Sequence, residues 1–340
     1  MLYSVVTTIT LGRKMRLAHM LIGSFLCACP VAVQADAVAP GLPEQVTSAG
    51  AADPTTPKLV SAQEDKADRM TVPVMVNDQG PFQFVVDTGA DRTVLSTELA
   101  ANLQLKPVDI AILHTMNGVD EVRTVLVQKI SVSTASARNV KSPALPARHL
   151  GAAGLLGIDT LRKQRVVMDF RVPSMAVYDA AKTPEPRDDP DTIVVVARSR
   201  LGQLIMVDAD INGRKIYVVV DSGAQNSVGN SALRKLVTRT SGKLHSVPIE
   251  LVGVTGQSTP ADYTQLKSVR IGGFTLTNAP VAFADAHPFK KFGLANKPAM
   301  LLGMDILRLF DRVSIDFSNR KIKFVLPDEA KLMLSLKTDG

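Results

Sequence analysis

Cysteine is almost missing from this 340-residue chain: Cys27 and Cys29 are the two present, and both fall in the first 35 residues. If that segment is removed, no disulfide and no thiol nucleophile remain. Aromatic residues are only 4% of the chain, yet hydrophobic residues reach 46%, enough for a buried core in each of about two domains. Beyond residue 35 no apolar run approaches the roughly 20 residues of a membrane span. Other signals are missing too. His114, His149, His245 and His287 have no metal-ligand spacing and read as surface or loop residues. There is no Gly-x-Ser-x-Gly elbow, since Ser222 lies in Asp-Ser-Gly-Ala, and no glycine-rich phosphate loop. The pI near 9.4 invites a nucleic-acid reading. However, Arg13, Lys14 and Arg16 supply three of the seven net positive charges, and the rest are spread along the chain as on an ordinary solvated surface. Lys290 and Lys291, between Phe289 and Phe292, read as a solvated loop.

What is present begins with an address. Arg13, Lys14 and Arg16 precede a mainly apolar run over 17–33, and Val33-Gln34-Ala35 then leads into Asp36. Charged start, apolar middle and small residues at the cut form a secretory signal over 1–35, with Met15 as an alternative start. Leu26-Cys27-Ala28-Cys29 weakly resembles a bacterial lipoprotein box, with Cys29 as the lipid-bearing residue; the site at Ala35 favours a soluble exported protein instead. Residues 36–68, rich in Ala, Pro, Thr and Ser, read as a flexible linker or a pro-segment. A second break over 181–191 holds three prolines and reads as a linker between a unit at 69–180 and a unit at 192–326, with a tail at 327–340 that has room for a short helix.

The two units repeat each other. Val85-Val86-Asp87-Thr88-Gly89-Ala90 returns as Val219-Val220-Asp221-Ser222-Gly223-Ala224. Each copy follows an expected β-hairpin, one turning at Asn77-Asp78-Gln79-Gly80 and the other at Asn212-Gly213. Phe82, Phe84 and Val86 should share one sheet face, as should Ile216, Val218 and Val220. Ser96 and Asn230 occupy matching places as N-caps of short helices. The units match again where Leu155-Leu156-Gly157-Ile158-Asp159-Thr160-Leu161 parallels Leu301-Leu302-Gly303-Met304-Asp305-Ile306-Leu307. The second unit is longer by about a dozen residues, much of the excess falling in 286–297. A single Asp-Thr-Gly would be an ordinary turn. Two copies, each ending an apolar strand and each followed by apolar-apolar-Gly, place a costly carboxylate identically twice.

These doubled signatures resemble the pepsin/retropepsin superfamily of aspartic peptidases, and more closely bacterial exported retropepsin-like proteases with both lobes in one chain. The resemblance covers roughly residues 69–326. It implies an all-β, bilobal, pseudo-twofold fold with a few short helices and one carboxylate-bearing loop from each lobe. It implies Asp87 and Asp221 as the catalytic pair. Thr88 and Ser222 become the hydroxyls that lock the loops together, and Gly89, Ala90, Gly223 and Ala224 the close-packed neighbours. Leu155, Leu156, Gly157, Leu301, Leu302 and Gly303 become the segments that thread beneath. It implies peptide hydrolysis by a water activated between the carboxylates, without cofactor or metal, on a protein or peptide bound as an extended strand in a monomer. A non-catalytic peptide-binding or assembly module is the alternative on the same fold. Ala90 and Ala224 offer no hydroxyl to stabilise an ionised carboxylate, so a weakly acidic to near-neutral optimum is expected. Met116, Asn117 and Gly118 in one unit, and Gly253, Val254, Thr255 and Gly256 in the other, are the candidate flap tips. Which of them covers the cleft stays open, and neither carries the flap tyrosine of the pepsin-like branch.

Overall fold

The computed structural model describes residues 69–133, 135–183 and 192–328, together with the backbone of the short strands Thr7–Thr10, Val60–Ser61 and Gln63–Glu64. The expected signal apart from Thr7–Thr10, including Cys27 and Cys29, most of the linker over 36–68, the interlobe residues 184–191 and the tail beyond 328 lie outside the described residues. Among the described residues no helix is long and apolar enough to cross a membrane.

The structure is mostly β, in two lobes built to one plan. In the first, strands Met70–Val76 and Gln79–Val86 form a hairpin in which Thr71 faces Val85. It turns on two residues, Asn77 and Asp78, with φ of 50° and 63°. Gln79 and Gly80, read from sequence as part of the turn, already belong to the returning strand. A two-residue turn with both φ positive follows the twist of the strands it joins, so nothing longer is needed. In the second lobe Ile211 pairs with Arg214 across Asn212 and Gly213, with φ of 50° and 73°.

Each returning strand is then flanked by the apolar-apolar-Gly segment. Gly154–Leu156 runs parallel to it, with Leu155 opposite Val85, and antiparallel to Val94–Ser96. Ala299–Leu302 does the same with Val219 and with Val228. These central strands are covered on both faces, so they read as unbroken apolar runs rather than as alternation. Phe84 and Val86 enter the main core with Ile216, Val218 and Val220, all at most 2% exposed. Phe82 packs against that core from a partly buried position. Val85 and Val219 point the other way, into two smaller clusters. Each buried Val or Phe of this kind contributes about 1.5–3 kcal/mol. Ser96 accepts the Leu99 N–H at 3.0 Å and Asn230 the Leu233 N–H at 2.9 Å, capping helices Thr97–Asn102 and Ser231–Ser241. The extra length of the second lobe falls partly in that longer helix and partly in 284–298, which carries the short helix His287–Lys291.

Two long hairpins complete the plan, Val119–Val132 with Ala135–Leu145 and Ser258–Ile271 with Phe274–Phe283. Pro107–His114 and Val247–Val252 pair with the outer halves of the first strands, making one projecting arm per lobe.

Sequence places 164–179 in the first lobe. In the structure Gln164–Asp169 and Ser174–Asp179 join the sheet of the second lobe, through Arg312–Asp316. Val167 faces Ser314, Arg165 faces Asp316, and Asp169 faces Arg312. Val167-Met168-Asp169-Phe170 corresponds to Ser314-Ile315-Asp316-Phe317 in the repeat, so the outer two pairs interchange and the pseudo-twofold passes between Val167 and Ser314. Each unit ends in a hairpin with an open edge, and pairing the two edges satisfies both.

Candidate active site

Asp87 and Asp221 follow the last residues of their strands, where a backbone N–H donates to the apolar segment beneath: Asp87 to Leu156 O and Asp221 to Leu302 O, each at 3.0 Å. The loop beyond folds back on its own carboxylate. Asp87 Oδ1 accepts the N–H groups of Gly89 at 2.9 Å and Ala90 at 2.8 Å. Asp221 Oδ1 accepts those of Gly223 at 3.1 Å and Ala224 at 3.2 Å.

The two loops interlock. Thr88 Oγ1 donates to Val220 O at 3.1 Å, and Ser222 Oγ donates to Val86 O at 2.8 Å. A Cβ on Gly89 would lie 2.4 Å from Asp221 Oδ1, and one on Gly223 would lie 2.2 Å from Asp87 Cγ. Each glycine therefore presses against the carboxylate of the other lobe, and only a residue without a side chain permits that approach. Gly157 and Gly303 serve below, where a Cβ would meet the backbone carbons of Arg92 and Asn226 at 2.3 and 2.6 Å.

Burial raises Asp87 above the ordinary carboxylate range, against the pull of its two N–H donors. Burial, followed by the charge of Asp87, pushes Asp221 up to about 7. Two neighbouring carboxylates with raised values hold a proton between them near neutrality, so the site offers one acid and one base side by side. Arg69 lines the same cleft, is 8% exposed, and draws both values down modestly.

A cavity of about 430 Å³ lies above the pair. Ala90 and Ala224 border it, with Val94, Leu155, Val228 and Leu251 supplying apolar walls. Both arms reach across it. Met116 packs against the apolar cluster of the second lobe, and Val254 against that of the first. The tips touch: Asn117 Nδ2 donates to Ser258 O at 2.9 Å, and the Gly253 Cα lies beside the Asn117 side chain. Gly256, at φ +80°, sits against His149, whose Nε2 a Cβ there would meet at 2.7 Å. The sequence left open which tip lies over the cleft; the geometry brings Met116, Asn117 and Gly118 together with Gly253, Val254, Thr255 and Gly256.

Several residues at the site were not singled out from sequence. Asp159 Oδ1 accepts both the N–H and the hydroxyl of Thr93, at 2.8 and 2.7 Å, and Asp305 Oδ1 accepts those of Ser227, at 3.0 and 2.6 Å. Thr93 and Ser227 in turn accept the N–H of Gly157 and Gly303. The signal was in view, because both aspartates recur inside the repeated Gly-x-Asp segment. Burial raises Asp159, and raises Asp305 to about 6. Gln203 donates to Gly89 O at 2.8 Å from the place that Arg69 holds in the other copy. Lys291 forms an ion pair with Asp91 in the cleft, so it is not the solvated loop residue that the sequence suggested. His114 and His287, read separately as surface or loop residues, bond to each other. They lie 173 positions apart, so spacing along the chain could not reveal it.

Comparison with known proteins agrees with this geometry in each half. Residues 72–163 match the family model described as "gag-polyprotein putative aspartyl protease", and residues 207–306 match the model described as "Aspartyl protease". No curated protein matches the chain.

Proposed function

This chain belongs to the retropepsin-like aspartic peptidase superfamily, and from that premise we propose that it is an endopeptidase cutting proteins or extended peptides with Asp87 and Asp221. The observation that carries the reading is the close approach of the two carboxylates, each against the glycine of the opposite loop. In the proposed reaction the ionised member takes a proton from a water held between the pair, and the oxygen attacks the peptide carbonyl carbon. The protonated member donates a hydrogen bond to the developing oxyanion. Collapse of the tetrahedral intermediate breaks the C–N bond as a proton passes to the amine, and the dyad again holds one proton. The crossed arms act as a two-part cover that excludes water and holds the substrate as a strand.

Both carboxylates come from one chain, so one copy makes a whole site and a monomer is the proposed active unit. Export to a bacterial periplasm through the segment 1–35 belongs to the same proposal, on the pattern of basic, apolar and small residues there.

The test is incubation of the full chain, Asp87→Asn and Asp221→Asn with a complex peptide mixture from pH 3 to 8, the products being read by mass spectrometry. Cleavage by the parent alone supports the dyad. A folded parent that cuts nothing at any pH supports a peptide-binding module instead.

A further inference from the structure

Each arm packs one apolar side chain on the opposite lobe, and the first carries polar contacts besides. The second arm rests on apolar packing of Val254 against the first lobe. The first, beyond the packing of Met116 on the second lobe, is clasped there by polar groups. Met116 O accepts the His287 N–H at 2.9 Å. The ring of His114, which ends the strand Pro107–His114, meets the ring of His287 edge to edge, with centroids 5.1 Å apart and planes 9° from parallel. Their nitrogens, His114 Nδ1 and His287 Nε2, are 2.9 Å apart. At that distance one ring donates a proton and the other must offer a lone pair.

We propose that the His114–His287 contact is a pH-operated latch on the first arm, closed while one ring keeps an acceptor nitrogen and released when both are protonated. It rests on the reading of the arm as a cover of the peptidase cleft.

The singly protonated pair keeps its bond in charge-assisted form. The second proton leaves two donors face to face and two like charges in contact. The surroundings oppose that proton. Burial, then His114, Lys290 and Lys291, hold His287 below the ordinary histidine range. Acidic groups nearby are engaged elsewhere: Asp91 with Lys291, Asp285 with the N–H and hydroxyl of Ser231, and Asp120 with Thr115 and Gln257. Glu250 lines the cleft from the second arm. Closure is therefore complete near neutrality and is lost as the pH falls through the second protonation, so the arm opens in acid.

Hydrogen exchange on the full chain tests this without any need for turnover, so it reads the latch even where the peptide mixture goes uncut. Protection of residues 107–119, corrected for intrinsic exchange, should fall roughly tenfold between pH 7 and pH 5, the loss of one modest hydrogen bond. The strand Arg312–Asp316, remote from the arm, should keep its protection. His287→Phe keeps a ring but no titratable nitrogen, and should abolish the pH step. His287→Lys carries a fixed charge and should leave the arm open at both values. Equal protection of the parent arm at pH 7 and pH 5, a pH step retained in His287→Phe, or a closed arm in His287→Lys would each overturn the latch.

Discussion

The N–H of Ser222 donates to Thr88 Oγ1 at 3.0 Å while the N–H of Thr88 donates to Ser222 Oγ at 3.2 Å. Each hydroxyl passes its own proton on to a carbonyl of the opposite lobe, so the two residues join the loops in four bonds with both side chains 2% exposed. Thr88→Ala removes a buried donor and acceptor and leaves the Ser222 N–H and Val220 carbonyl unpaired. It should cost about 1–3 kcal/mol of unfolding free energy in urea titration. Thr88→Ser keeps the hydroxyl and should stay near the parent.

Gly89→Ala and Gly223→Ala should each abolish peptide cleavage, because the new methyl falls within 2.7 Å of the opposing carboxylate oxygens. The loss should appear in turnover with the far-UV spectrum unchanged, since the displaced atoms belong to the loops rather than to the sheets.

The proposed reaction uses the dyad with one proton, so activity should decline as the pH rises through about 7 and Asp221 loses the last proton held there. Ala90→Ser with Ala224→Ser introduces hydroxyl donors beside the carboxylates, which favours the ionised form. The alkaline limb of the pH–rate profile should then move to lower pH. An unmoved limb would reject the role given to the two alanines.

Stability should follow the same carboxylates with a definite sign. Asp221 is raised to about 7 and Asp305 to about 6 in the fold, so the folded chain holds protons that the unfolded chain has released. Their contribution is full below the ordinary carboxylate range and is lost as the pH rises through the raised values. Urea midpoints should therefore fall between pH 5 and pH 7, and Asp305→Asn should flatten that slope.

Asp305→Ala strands the buried hydroxyl and the backbone N–H of Ser227, whereas Asp159→Ala strands the N–H of Thr93, whose hydroxyl keeps the Thr160 hydroxyl at 2.8 Å. Each should cost about 1–3 kcal/mol in urea titration, and the asparagine variants, which keep an acceptor oxygen, should cost less.

Much of this site could be read along the chain because its parts are local and repeated. The Asn212-Gly213 turn, the caps at Ser96 and Asn230, and the strands that deliver Asp87 and Asp221 are each specified by residues within a few positions. Their recurrence then fixes the pairing of the halves. What was not legible lies across long separations or on surfaces without a pattern. The edge pairing of Val167 with Ser314 depends on two hairpins meeting, and neither hairpin announces a partner. The Lys291–Asp91 pair spans 200 positions, and the arm tips meet through Asn117 and Ser258, 141 positions apart. Asp159 and Asp305 were visible as repeats, but their task appears only once Thr93 and Ser227 are placed beside them.

The axis between Val167 and Ser314 has one further consequence. Two identical chains meeting across such an axis must present every group twice, and their cleft has no left or right. Here the halves are free to diverge: Arg69 stands where the other copy has Gln203, and Asp91, with its lysine, where the other has Gln225. A peptide has a direction, and in this cleft its two orientations are not equivalent.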